Sequence, residues 1–159
     1  MIKIVEGNIL EATEDIICHQ VNCMGVMGGG LAYQIKEKYP YVYANYRHIC
    51  KEYLSENQSL LGEVIFGVFT HDNKIIANLC GQSNYGTHIQ QTDYAALAKA
   101  LKIVYKAVNN TNSSLNGYSV AIPYNLGCGL GGGDWNVVYD MINRIFENYD
   151  VTIYNFENN

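Results

Sequence analysis

His19 stands three positions before Asn22, near the end of the apolar run Ile16-Ile17-Cys18-His19-Gln20, and a glycine-rich stretch follows at once. An imidazole there can take a proton from an attacking water, or give one to a leaving oxygen, near neutral pH. It can equally be a buried histidine bonded to backbone, and spacing alone does not choose between the two. Two glycine clusters suggest a second kind of chemistry. One is Gly25 with Gly28-Gly29-Gly30, and the other places five glycines among the seven positions from Gly127 to Gly133. Glycine adopts positive φ without penalty and lets backbone approach a ligand closely. Unpaired N–H groups where a helix starts attract anions. Two such loops predict two adjacent phosphates held by main-chain amides rather than by Lys or Arg. The alternative is a pair of tight turns whose glycines serve geometry alone. There is no GxxxxGK[ST], and the spacing of Gly25 and Gly28 to Gly30 is not GxGxxG, which argues against a nucleoside triphosphatase or a classical dinucleotide dehydrogenase.

The thiols invite two further readings. Cys128 lies between two glycines just ahead of an expected helix, a setting that lowers a thiol pKa. No histidine is close to it in sequence, so a nucleophilic role is not expected, and Cys23 reads the same way. Cys18, His19 and Cys23 lack a fourth ligand at a zinc-like spacing, so no metal is expected.

The elements that must position these residues follow from hydrophobic patterning. Strands are expected at Ile2 to Glu6, Ile16 to Gln20, Tyr118 to Tyr124 and Val151 to Phe156. Glu63 to Thr70 and Lys74 to Cys80 read as an antiparallel hairpin turning at His71-Asp72-Asn73. Helices are expected from Leu31 to Lys38, from Tyr41 to Tyr53, from a cap at Thr92 to Val108, and from a cap at Asp134 to about Asn148. Tyr39, Tyr41, Tyr43 and Tyr46 are expected to pack a helix face. Gly81 to Gln91 is polar and reads as loop. Each glycine cluster therefore sits directly after an apolar strand and before a helix, where α/β sheets bind ligands.

The chain has 159 residues, 48% of them hydrophobic and 16% charged, enough apolar material for one core. A net charge of −5 argues against an extended nucleic-acid-binding face. No apolar run approaches the roughly 20 residues of a membrane span. Five scattered cysteines without a secretion signal predict reduced thiols in a cytoplasm.

The runs Gly7-Asn8-Ile9-Leu10, "VNCMGVMGGGLA" over positions 21–32 and "GCGLGGGDW" over 127–135 resemble the macrodomain family, in its order. The likeness extends from Met1 to Phe156. Its nearest branch holds terminal ADP-ribose glycohydrolases, macrodomain antitoxins that remove ADP-ribose from DNA, and ADP-ribose-1″-phosphate phosphatases. The resemblance implies a three-layer α/β/α fold with a mixed central sheet, a single domain over 1–159, no cofactor, and ADP-ribose or a derivative bound between the two glycine loops.

By the same resemblance Gly7, Asn8 and Ile9 would border the adenine, with Tyr154 or Phe156 packed near it. Asn22 would contact the distal ribose, with Gln20 and Cys23 beside it. Gly25, Val26, Met27, Gly28, Gly29, Gly30 and Leu31 would form the first loop around that ribose and a phosphate. Asn125 and Leu126 would lead into Gly127, Cys128, Gly129, Leu130, Gly131 and Gly132, which would wrap the diphosphate.

Hydrolysing members often carry a lysine after the strand that here ends near Cys80, but no lysine lies between Lys74 and Lys99. Some carry an aspartate where this chain has Gly131, and Asp134 reads as a helix cap. The phosphatase members resemble this chain at His19. The expected function is hydrolysis at the terminal ribose, foremost removal of the 1″-phosphate, with His19 activating water and Asn22 orienting the ribose. Gln82 and Tyr85 would line the distal-ribose end. The alternatives are a non-catalytic module for ADP-ribose or an NAD-derived signal, and a hydrolase acting on an ADP-ribosylated macromolecule.

Overall fold

Along β2 (Ile16–Val21), Ile16 and Cys18 enter one buried apolar layer and Ile17 and Val21 the other. A strand whose alternate residues both meet cores belongs in the middle of a sheet covered on its two faces. A computed structural model, describing residues 1–68 and 70–156, has that architecture. Its other strands are β1 (Ile2–Glu6), β3 (Val64–Gly67), β4 (Ile75–Cys80), β5 (Val120–Pro123) and β6 (Val151–Asn155). The sheet order is β1-β6-β5-β2-β4-β3. All neighbours run parallel except the hairpin partners β3 and β4. The expected three-layer α/β/α fold with a mixed sheet is therefore the fold observed.

Helices α1 (Gly30–Lys38) and α2 (Pro40–Ser55) cover one face through Ile35, Val42, Tyr46 and Cys50. Helices α3 (Tyr94–Val108) and α4 (Trp135–Ile145) cover the other through Leu97, Leu101, Val104, Val138 and Ile142. The chain leaves β2 for α1 through one glycine cluster and β5 for α4 through the other. Because β2 and β5 are adjacent, both loops emerge at the same end of the sheet.

Some element ends differ from expectation. Asp93, not Thr92, caps α3: its carboxylate accepts from Ala96 N at 3.0 Å. Thr92 is buried and its hydroxyl is used elsewhere. Helix α2 begins at Pro40, whose missing N–H costs nothing in a first turn. Tyr41 lies on the solvent side of α2, 79% exposed, whereas Tyr46 is fully buried. Strand β5 is shorter than Tyr118 to Tyr124, and the hairpin's first arm, expected to reach Thr70, ends at Gly67, with Phe69 outside the described residues. Asp134 does cap α4, accepting from Asn136 N at 2.9 Å. A short 3-10 turn over Ile9–Glu11, capped by the Asn8 side chain, was not expected.

Candidate functional site

The first glycine loop is pinned from beneath by Asn22. Its Oδ1 accepts from Met24 N at 3.0 Å and its Nδ2 donates to Val26 O at 2.8 Å. The Tyr46 hydroxyl, rising from α2, lies 2.7 Å from Asn22 O and 2.9 Å from Asn22 Oδ1. Tyr46→Phe is expected to lower stability by about 1–2 kcal/mol, because a buried acceptor loses its donor. Chemical denaturation measures it.

The second loop is held by a relay across the sheet end. Gln20 Nε2 donates to Thr92 Oγ1 at 2.8 Å, and Thr92 Oγ1 donates to Gly127 O at 2.6 Å. The amides of Gln91 and Thr92 donate to Gly131 O at 2.8 and 3.1 Å. Gly127 (φ +71°) and Gly132 (φ +74°) take the left-handed turns that fold the loop back.

Between the loops opens a cleft of about 1020 Å³. Asn8, Ile9, Tyr154, Asn155 and Phe156 line it where β1 and β6 end, and Gln82, Tyr85, Gly86 and Thr87 line it beyond β4. Val26, Gly28, Gly29, Gly30 and Leu31 form one wall, and Asn125, Leu126, Gly127, Gly129, Leu130 and Gly131 the other. His19, Gln20 and Asn22 lie on its floor with Val21. The loops touch each other: a Cβ on Gly29 would lie 2.8 Å from Leu130 Cδ1.

Among the described residues, the N–H groups of Gly28, Gly29, Gly30 and Leu31 donate to no protein acceptor, and neither do those of Gly127, Gly129, Leu130 and Gly131. Two clusters of unpaired donors on one cleft suit a pair of linked anions. Among the same residues, no Asp, Glu, Lys or Arg lines the cleft. A bound anion would meet neutral dipoles there, not side-chain charge.

The expected residues that the structure does not bring to the wall are Gly7, Cys23, Gly25, Met27, Cys128 and Gly132. Met27 and Cys23 are core residues beneath the first loop. Gly25 (φ +80°) takes the turn at which a Cβ would meet Cys50 Cβ at 3.3 Å. Cys128 lies 3.2 Å from Leu126 O. Its thiol is not activated: burial first, and then the Asp134 charge, push it up to about 11. Residues missed from sequence include Gln34, Thr87, Tyr124 and Asn155. Gln34, Thr87 and Asn155 belong to segments without a motif, and only the three-dimensional closure of the cleft brings them in, whereas Tyr124 directly precedes the second loop.

His19 is 1% exposed. Its Nε2 lies 2.6 Å from Asn78 Oδ1, and its Nδ1 is buried without a partner. Burial drives its pKa down to about 4, against a smaller upward pull from the Asn78 hydrogen bond. At neutral pH the ring is therefore uncharged. The folded state disfavours the protonated ring, so the stability this gives is complete above pH 6.5 and is lost as pH falls from 6.5 toward 4. We expect the unfolding free energy to drop by up to about 3 kcal/mol over that window from His19 alone. Urea denaturation across pH, compared with His19→Leu, isolates the contribution.

The Macro domain family model matches residues 18–142. The DNA ADP-ribosyl glycohydrolase of Mycobacterium tuberculosis is 31% identical over 163 aligned residues, covering 97% of this chain and 42% of that protein. The chain thus spans about two fifths of that relative's length. The ADP-ribose 1″-phosphate phosphatase of Saccharomyces cerevisiae is 28% identical, covering 96% of this chain and 97% of that one. Among solved structures, the macrodomain of Mycobacterium tuberculosis DarG superposes with a TM-score of 0.79 at 28% identity, over 97% of both chains.

Proposed function

Since the chain belongs to the macrodomain family, we propose that it binds ADP-ribose derivatives in the cleft between its two glycine loops and hydrolyses the phosphate from ADP-ribose 1″-phosphate. The unpaired amides of the two loops hold the diphosphate from opposite sides. The Ile9, Tyr154 and Phe156 end takes the adenine, and the His19 and Asn22 end takes the distal ribose. The observation that carries the catalytic part is the composition of the wall: His19 is the lining residue with a base available at neutral pH, and no carboxylate or lysine accompanies it among the described residues.

The step follows from that inventory. A water beside the distal ribose attacks phosphorus while His19 Nδ1 accepts its proton. The bond between phosphorus and the anomeric oxygen breaks, and that oxygen takes up a proton from the imidazolium or from solvent. The products are ADP-ribose and inorganic phosphate. Main-chain amides position the substrate and stabilise charge on its phosphoryl groups.

A second reading, a module that binds ADP-ribose without turning it over, is favoured by Asn22, whose amide is already engaged by the loop. Release of phosphate from ADP-ribose 1″-phosphate by the purified protein distinguishes the two. Tight binding with no release of phosphate overturns the phosphatase. No helix among the described residues is long and apolar enough to cross a membrane.

A cleft walled by neutral groups makes a further prediction. ADP-ribose affinity should change by less than about threefold between 50 mM and 500 mM salt, because little side-chain charge is there to be screened. Titration calorimetry at the two salt concentrations checks it, and a tenfold or larger loss would place a cationic side chain on the ligand.

A further inference from the structure

Asn78 occupies the middle of β4 with no exposed surface, in the run Ile76-Ala77-Asn78-Leu79. A buried amide is costly unless its donors and acceptor are matched. Its partners lie on the two flanking strands. Nδ2 donates to Ile65 O on β3 at 2.9 Å, and Oδ1 meets His19 Nε2 on β2 at 2.6 Å. Both are register partners of Asn78 in the sheet.

The donors and acceptors allow one arrangement. A backbone carbonyl can only accept, so Nδ2 must face Ile65, since the flipped amide would set two oxygens against each other. Oδ1, which also can only accept, then faces His19. The imidazole must carry its proton on Nε2, and in a neutral ring the lone pair lies on Nδ1. Nδ1 is the atom that is buried without a partner. The other titratable side chains of this layer are Tyr39, Tyr43, Tyr46, Tyr53, Tyr154, Cys23, Cys50 and Cys80, and among the described residues no buried carboxylate could take over the role of Asn78.

We infer that Asn78 is a positioning residue: oriented by the Ile65 carbonyl, it fixes the tautomer of His19 so that Nδ1 is the unprotonated nitrogen. The catalytic consequence rests on the reading of His19 as the base that activates water. The tautomer itself does not.

Nitrogen-15 NMR of histidine-labelled protein at pH 7 reads the tautomer directly, without substrate. The wild type is expected to show a protonated Nε2 and an unprotonated Nδ1 for His19. In Asn78→Leu the acceptor is gone, and the two nitrogens should average toward a tautomer mixture. The kcat on ADP-ribose 1″-phosphate should fall about tenfold, with KM changed less than about threefold. In Asn78→Asp an acceptor for Nε2 remains, so the tautomer should persist, while the Ile65 carbonyl keeps a donor only if the carboxyl is protonated.

A wild-type spectrum with the proton on Nδ1 overturns the inference, as does an unchanged spectrum in Asn78→Leu. If Asn78→Leu fails to fold, the wild-type spectrum and Asn78→Asp settle whether the amide sets the tautomer. If the wild type releases no phosphate, or His19→Ala releases it at the wild-type rate, the reading of His19 as base falls. The nitrogen spectra still establish or refute the role of Asn78.

Discussion

Replacing Gly131 by alanine is expected to weaken ADP-ribose binding by about 100-fold or more. The added Cβ would lie 2.5 Å from Thr92 Oγ1, 2.8 Å from Gly127 O and 3.0 Å from Gln20 Nε2. One of these is backbone, and the other two are tied into the relay that holds the loop. None is a free side-chain end that can swing aside. The loop must therefore move, and the amides of Gly129, Leu130 and Gly131 move with it. Each hydrogen bond to a charged phosphate contributes roughly 1.5–3 kcal/mol, so losing the alignment of two removes about two orders of magnitude of affinity. Calorimetric titration of a variant shown by circular dichroism to be folded is the measurement. Affinity kept within about threefold would mean that the second loop does not hold the ligand.

His19→Ala is expected to lower kcat for phosphate release by about 10²–10⁴-fold, the usual range for a positioned base. Binding of ADP-ribose should change by less than about threefold, because on the proposed reading the loop amides, and not the ring, hold the diphosphate. The substitution also strands Asn78 Oδ1, so stability should fall by about 1–3 kcal/mol. His19→Gln, whose side-chain amide can still donate, should recover part of that stability but none of the rate. This split between stability and rate separates a base from a histidine kept for packing. Equal rates in the wild type and both variants would remove His19 from the chemistry.

The layers of the fold were legible because Ile16 to Gln20 is apolar enough to demand cover on both faces, and the helix ending near Val108 shows a clear apolar stripe. The two loops were legible because glycine clusters at strand-to-helix junctions have few structural uses. The duty of Thr92 was not legible. Its hydroxyl bonds Gly127 O, a partner 35 residues away that appears only once β2 and β5 lie side by side. A cap and a buried relay draw on the same residue type, and Asp93 next door took the cap. The role of Asn78 was hidden in the same way. It left one polar letter in an apolar strand, a signal that a polar partner must exist but not which one. Cys128 was expected to line the second loop but not to act as a nucleophile, although its glycine neighbours and the dipole of a helix start favour a thiolate. In the folded chain burial dominates over that dipole and the thiol stays protonated.

The contact of Leu130 with Gly29 bears on how a nucleotide comes and goes. Leu130, whose side chain is 58% exposed, is a strut between the two loops. Such a side chain changes rotamer in picoseconds to nanoseconds. The strut can be lifted without any backbone hydrogen bond of either loop breaking, so ligand exchange at that point need not wait on slow local unfolding. If the loop amides hold the nucleotide as proposed, its residence time is governed by those hydrogen bonds and not by the speed of a gate.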